Sequence, residues 1–163
     1  MMTPEFSKIL YATDLSQSAA HAFRYAMTLA KRFDAHVTIL HVVEEMSEDA
    51  KLAFEAYFEP EIRKGISPRR EAGALERMRE RVAKFCEEQM TGEFEACTSM
   101  VSIKVCKGYP EEQILKKSDE YESDIIVMGT HEKGFTHTFL GSVAKRVLRR
   151  SRKPVFIIPL PKK

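Results

Sequence analysis

His36-Val-Thr-Ile-Leu-His-Val-Val43 is the stretch on which the fold turns. It is β-branched and nearly continuous in apolar character, and a strand of that kind suits a sheet covered on both faces, the setting of parallel strands. Reading back from it, Asp34-Ala35 closes a segment in which Ala19, Ala22, Phe23, Ala26, Ala30 and Phe33 recur at three- and four-residue spacing. That is the period of a helix with one apolar stripe. Ser16 stands before the segment as its N-cap, where the hydroxyl can accept from an orphan amide of the first turn. Earlier still, Lys8-Ile-Leu-Tyr-Ala12 is a short apolar run that stops at Thr13-Asp14-Leu15-Ser16. The first quarter of the chain therefore reads strand, helix, strand.

Forward from Val43, the next strand is Met100 to Cys106, with Val101, Ile103 and Val105 alternating, ended by Gly108-Tyr109-Pro110. Pro110 sits where a first helical residue tolerates proline. Ile114, Leu115 and Tyr121 give the helix that follows its apolar stripe, and Asp124-Ile-Ile-Val-Met-Gly129 is another strand of the buried type. Val143, Ala144, Val147 and Leu148 mark a further helix, and Pro154-Val-Phe-Ile-Ile-Pro159 is the last strand. The order β-α-β, a long middle, then β-α-β-α-β implies a single open α/β domain with a parallel sheet and right-handed crossovers. Ligands of such sheets bind beyond the carboxyl ends of the strands, where the strand order reverses. That point is expected between the first strand, ending at Thr13-Asp14, and the fourth, ending at Met128-Gly129.

The middle, residues 44–99, is long for one crossover. Ala50, Ala53, Phe54, Tyr57 and Ile62 form one helical stripe, and Leu75, Met78, Val82, Phe85, Cys86 and Met90 a second. The basic linker Arg63-Lys-Gly-Ile-Ser-Pro-Arg-Arg70 separates them. The second stripe is read as the crossover helix. The first is read as an insertion over the sheet edge, over the ligand crevice, or on the surface with no part in binding.

Composition narrows the function classes. The 163 residues make one domain, with 44% apolar and 31% charged residues, as expected of a globular chain. Lys plus Arg is 26 against 24 for Asp plus Glu, so charge alone makes no case for nucleic acid or an anionic membrane. No apolar run approaches the roughly 20 residues of a membrane span, and Met1 to Lys8 carries no signal-peptide pattern; a cytoplasmic protein is expected. Cys86, Cys97 and Cys106 form no Cys-x-x-Cys pair and read as small hydrophobes. The histidines at 21, 36, 41, 131 and 137 show no His-x-x-x-His spacing, which argues against zinc.

The segment after the fourth strand, Gly129-Thr-His-Glu-Lys-Gly-Phe-Thr-His-Thr-Phe-Leu-Gly-Ser-Val143, runs from a strand end through glycines into a helix. Glycine lets backbone amides turn to a ligand, and a helix start at Gly141-Ser142 offers unpaired N–H groups and positive partial charge, which suits a phosphate. A P-loop is excluded, because Phe135 stands where that motif needs Lys, and the Gly-x-Gly-x-x-Gly dinucleotide fingerprint is absent. Lys145 rather than Glu or Gln lies three residues after Ser142, so no capping box closes this helix start. Ser142 as a cap and Asp14 as a turn residue are the plainer alternatives to ligand contacts.

Lys8-Ile-Leu-Tyr-Ala-Thr-Asp-Leu-Ser16, Val-Thr-Ile-Leu-His-Val-Val43, Asp-Ile-Ile-Val-Met-Gly-Thr-His131 and Leu-Gly-Ser-Val-Ala-Lys-Arg-Val-Leu148 followed by Lys-Pro-Val-Phe-Ile-Ile-Pro159 resemble, as an ordered set, the universal stress protein (UspA-like) family. The resemblance covers nearly the whole chain apart from residues 44–75, which stand out as a helical insertion. It implies an α/β fold with one open parallel sheet of five strands in the order 3-2-1-4-5 and helices on both faces, of the adenine nucleotide alpha hydrolase-like type. It also implies cytosolic homodimers joined through the last strand and, in one branch, ATP binding, with Mg²⁺ or Mn²⁺ as the accompanying ion. That branch carries Gly-x2-Gly-x9-Gly-Ser/Thr. Here Gly129 matches the first glycine and Gly141-Ser142 the last pair, Glu132 replaces the second glycine, and the spacing to Gly141 is one residue short.

Carried over, the resemblance assigns Ala12, Thr13 and Asp14 to the base and ribose end and the Val42 backbone to adenine. It assigns Met128, Gly129 and His131 to the ribose and first phosphates, and Gly141, Ser142 and Val143 to the terminal phosphates. Glu132 facing phosphate is repulsive by about 1 kcal/mol in water and several at low effective dielectric. A bridging Mg²⁺, a solvent-facing Glu132, or Gly134 in the glycine role would relieve it, and Lys133 would offset the charge. Otherwise the fold serves as a nucleotide-free dimeric interaction module.

Two surface features complete the reading. Val155 to Ile158 is a sheet edge, open to pairing with a second chain, with Pro159 and Pro161 limiting further addition. Lys145, Arg146, Arg149, Arg150, Arg152 and Lys153 form a basic run on and after the last helix, read as a dipole-matched solvated face. A weak nucleic-acid or anion site is the third function class, although no aromatics interleave to stack bases. No nucleophile–base pair stands out, so a regulatory ligand is expected rather than fast catalysis, with slow ATP hydrolysis left open.

Overall fold

The first strand, β1 (Lys8–Thr13), is the centre of the sheet. It pairs in parallel with β2 (His36–Glu44) on one side, with Tyr11 opposite Ile39, and with β4 (Ile125–Gly129) on the other, with Tyr11 opposite Val127. β3 (Val101–Gly108) adds outside β2 and β5 (Val155–Ile158) outside β4, also in parallel. The order is β3-β2-β1-β4-β5, the order that the family resemblance implies. The computed structural model describes residues 4–45, 99–130 and 140–159, with scattered positions between 47 and 84. The apolar stripe assigned to the crossover helix and most of the expected insertion lie outside the described residues; of the first stripe Ala53 is described, and it is helical and exposed. The described positions 76, 77, 79–81 and 84 are helical and exposed, the polar side of such a helix.

Continuous apolar strands are needed because both faces are covered. Alternate residues of β1 divide between two cores: Ile9 and Tyr11 pack under helix α1 (Gln17–Phe33), Leu10 and Ala12 under α2 (Pro110–Glu120) and α3 (Ser142–Arg150). Ala22, Ala26 and Ala30 are fully buried, and their small side chains let α1 lie close on the sheet. Leu10 and Ile126 are fully buried in the second core. Truncating either to Ala would cost about 2–5 kcal/mol, through lost transfer energy and the cavity left behind.

Helix ends follow local chemistry. The Ser16 hydroxyl accepts from the Ala19 N–H at 3.2 Å, and α1 stops at Asp34 in the left-handed region (φ 51°), with Lys31 and Arg32 favourably placed in the last turn. α2 begins on Pro110, as expected, with Glu111 and Glu112 in its first turn. Three expectations need correction. Phe33, read as part of the apolar stripe of α1, and Leu148, read as marking α3, are each 49% exposed. Phe33 lies in the last turn of α1 and meets the Phe6 ring edge-on at 5.3 Å instead of entering the core. β3 runs past Cys106 to Gly108, because Glu44 of the longer β2 pairs opposite Gly108 and the Glu45 N–H donates to the Gly108 carbonyl.

Candidate functional site

The strand order reverses between β1 and β4, and a cavity of about 740 Å³ opens beyond their carboxyl ends. That volume is within the range of small-molecule sites. Ala12, Thr13, Asp14, Val42, Met128, Gly129, Gly141, Ser142 and Val143 all line it. The remaining sequence candidate, His131, and the neighbouring Glu132, Lys133 and Gly134 lie outside the described residues.

The floor is built by the turn after β1. Thr13 Oγ1 accepts from the Leu15 N–H at 3.1 Å and Asp14 Oδ1 from the Ser16 N–H at 3.0 Å, while Leu15 takes a left-handed conformation (φ 66°). These side-chain-to-backbone bonds are what short polar residues do at turns, and they fix where the Asp14 carboxylate sits. The Tyr11 hydroxyl donates to the Ala19 carbonyl and ties the start of α1 to β1. Burial pushes the Tyr11 phenol well above its ordinary pKa, more than its hydrogen bond to Thr13 lowers it, so it stays a neutral donor. His41 Nδ1 lies 2.9 Å from the Thr13 carbonyl. A carbonyl only accepts, so Nδ1 carries a proton and donates it.

The far wall is the start of α3. Its N-cap is Gly141 (φ −59°, ψ 159°), no side chain caps it, and its first turn holds no acidic residue. α1 and α2 also begin at this end of the sheet, each following a strand. At α1 the Ser16 hydroxyl occupies a first-turn amide; at α2 Pro110 lacks an N–H, and Glu111 and Glu112 supply negative charge. Among the described residues, α3 alone presents a helix start with neither a cap nor an acid, and such an end attracts an anion. It is tied to α2 through Arg146, whose Nη1 donates to Oε1 of the nearly buried Glu111 at 2.7 Å.

Sequence reasoning did not single out Leu40, His41, Glu44, Pro110, Ile114 or Thr130, all of which line the cavity. Leu40 and Thr130 were within reach of simple strand alternation: each lies two residues from a candidate, Val42 and Met128, on the same face of its strand. The basic run is partly absorbed by structure. Besides Arg146, Lys153 Nζ caps the end of α2 at the Ser118 carbonyl (2.6 Å) and pairs with Asp119 (3.2 Å). Lys145, Arg149, Arg150 and Arg152 are exposed.

A sequence profile described as "Universal stress protein family" matches residues 5–159. The chain belongs to the universal stress protein family. Among curated relatives, a universal stress protein of Methanocaldococcus jannaschii is 31% identical over 97% of this chain and 85% of its own length. Among solved structures, the universal stress protein UspA from Lactobacillus plantarum superposes with a TM-score of 0.68 at 25% identity, covering 96% of this chain and 99% of that one. A universal stress protein solved in complex with cAMP superposes with a TM-score of 0.59 at 22% identity, covering 97% of this chain and 100% of that one. The family's fold, the adenine nucleotide alpha hydrolase-like arrangement, is the one described above. Among the described residues no helix is long and apolar enough to cross a membrane.

Proposed function

We propose that this universal stress protein binds an adenine nucleotide, ATP in the first instance, as a regulatory ligand in a cytosolic homodimer of the stress response. One observation carries the reading: the turn after β1, the end of β4 and the uncapped start of α3 line a single cavity at the reversal point of the sheet. On this reading Ala12, Thr13 and Asp14 take the base and ribose end, with the Asp14 carboxylate accepting from ribose hydroxyls. Val42 offers its backbone to adenine. Met128, Gly129 and His131 run along the ribose and first phosphates, and the amides of Gly141, Ser142 and Val143 hold the terminal phosphates. Support comes also from the cAMP complex of a protein with the same fold, which shows that the fold accommodates an adenine nucleotide.

Asp14 and Glu44 are the carboxylates lining the cavity among the described residues, and Asp14 already accepts from Ser16. A Mg²⁺ or Mn²⁺ would therefore arrive with the phosphates and keep most of its ligands from them and from water. Nucleotide would bias a partner-facing surface. The dimer is proposed through β5, an edge strand whose exposed Phe156 stands against Tyr25 at 6.4 Å between ring centroids. The direct test is to denature freshly purified protein, look for released adenine nucleotide by chromatography, and titrate the refolded or ligand-stripped chain with Mg-ATP. Saturable binding supports the reading. No nucleotide on release and no heat at millimolar ATP would leave the nucleotide-free interaction module, the role that Glu132 in place of glycine favours.

A further inference from the structure

We infer that the solvent-facing side of α3, with the residues just beyond it, is a docking surface for an acidic amphipathic segment of a partner protein; this does not rest on the nucleotide reading. From Ser142 to Lys153 the chain places six of its 26 Lys and Arg and none of its 24 Asp and Glu. Arg146 and Lys153 are used inside the molecule, on Glu111 and on Ser118 and Asp119. Lys145, Arg149, Arg150 and Arg152 are exposed, and none of them has an ion pair among the described residues. The helix dipole accounts for part of this charge, since Arg149 and Arg150 lie in the last turn, at its negative end. It does not account for Lys145, which closes the first turn, its N–H donating to the Gly141 carbonyl at 3.0 Å. A cation there meets the positive end of the dipole, and it also stands one helical turn before Arg149, a like-charge spacing that destabilises a helix. Local stability is given up to keep the face uniformly basic, and such a departure from local rules is expected where a surface serves a function.

An apolar residue sits within that face. Ala144 and Val147 are buried, whereas Leu148 is 49% exposed. Lys145, Leu148 and Arg149 are neighbours at three- and four-residue spacing on one side of the helix. A leucine flanked by cations is matched by a segment that covers it with an apolar side chain and sets carboxylates on either side. Charge complementarity of this kind steers association and suppresses wrong partners. Nucleic acid fits less well, since no aromatic stands among the cations to stack a base and a phosphate backbone has nothing to cover Leu148. A single leucine is also too little apolar surface to hold a helix in a bilayer.

The test pans a displayed library of short random peptides on the full chain, then titrates a recovered peptide, duplex DNA, and vesicles of phosphatidylcholine and phosphatidylserine against wild type, Lys145→Glu and Leu148→Ala. Recovered peptides are expected to be rich in Asp and Glu around an apolar residue and to bind less tightly as salt rises. Lys145→Glu should weaken such a peptide about fivefold or more, and Leu148→Ala about threefold or more. Thermal unfolding separates this from a structural role: Lys145→Glu should melt no lower than wild type, because it replaces a like-charge pair with Arg149 by an attractive one. The inference is overturned if the recovered peptides show no excess of acidic residues, if either variant binds them like wild type, or if the weakening comes with a loss of stability. Tighter binding of the DNA or the vesicles than of the peptide also overturns it and assigns the face to that class. Self-association of the wild-type chain that Lys145→Glu abolishes, read by light scattering, would assign the face to a second copy instead.

Discussion

Replacing Gly141 by Asp separates ligand binding from folding in a way few substitutions can. Gly141 is the N-cap of α3 with φ −59° and ψ 159°, an extended conformation that any residue adopts. Asp is among the preferred N-cap residues, and it exceeds Gly there by a few tenths of a kcal/mol. Its charge at the positive helix end adds about 0.3–1 kcal/mol, since the first turn holds no acid of its own. Together these raise the stability of the ligand-free chain by about 0.5–1.5 kcal/mol, or Tm by about 1–6 °C for a domain of this size. The same carboxylate competes for the amides offered to phosphate and repels it. At about 4 Å and an effective dielectric near 20, the repulsion is about 4 kcal/mol, roughly a thousandfold in affinity. Thermal unfolding with and without Mg-ATP, paired with calorimetric titration, reads both effects. Gly141→Asp should melt higher than wild type without ligand and show no ATP-dependent rise. A variant that melts lower yet binds ATP with wild-type affinity would refute the placement of phosphate at α3.

Three further outcomes test the framework around the site. Asp124 Oδ2 accepts from the Ser7 N–H, the Ser7 hydroxyl and the Lys8 N–H. Burial alone would raise its pKa, but the bonds from Lys8 and Ser7 outweigh that and hold it below the usual carboxylate value. Its contribution is therefore full above the unfolded pKa of about 3.9 and is lost as pH falls through the lower folded value. Asp124→Asn should lower stability by about 1–2 kcal/mol at pH 6, and urea midpoints of variant and wild type should converge near pH 2; a constant gap would contradict the linkage. Arg146→Ala leaves the Glu111 carboxylate with little solvent, at a cost of about 1–2 kcal/mol because Arg146 itself is 59% exposed. Adding Glu111→Gln should recover part of that loss, and a double variant that is strictly additive would show the pair to be uncoupled. Phe156→Lys on the β5 edge should convert a dimer to a monomer in light scattering without shifting the melting temperature by more than about 2 °C, whereas an intact dimer would place the interface elsewhere.

The sheet was readable from the sequence because its strands are short and apolar, the central ones buried on both faces, and each is bounded by a turn or proline. The switch point followed from that order alone. At α3, Lys145 in place of the Glu or Gln of a capping box marks an open helix end in the sequence, and the structure shows the first turn without a side-chain cap. What failed were positions at helix ends. Phe33 obeys the helical period but falls on the last residue of α1, and Leu148 lies beside the fully buried Val147 yet is 49% exposed, so the apolar stripe of α3 is narrower than its apolar residues suggest. The ties between elements were also invisible. Tyr11 to Ala19 and Arg146 to Glu111 join residues 8 and 35 apart in the chain, and such pairs depend on how helices sit on the sheet.

Backbone amide NMR during a titration of the full chain with Mg-ATP measures the central claim most directly. The account predicts that the Ser142 and Val143 amide resonances move progressively and saturate with the bound fraction, as hydrogen bonds to phosphate form. Unmoved resonances at millimolar ATP, in a chain whose β1 and β4 signals show the fold intact, would contradict it.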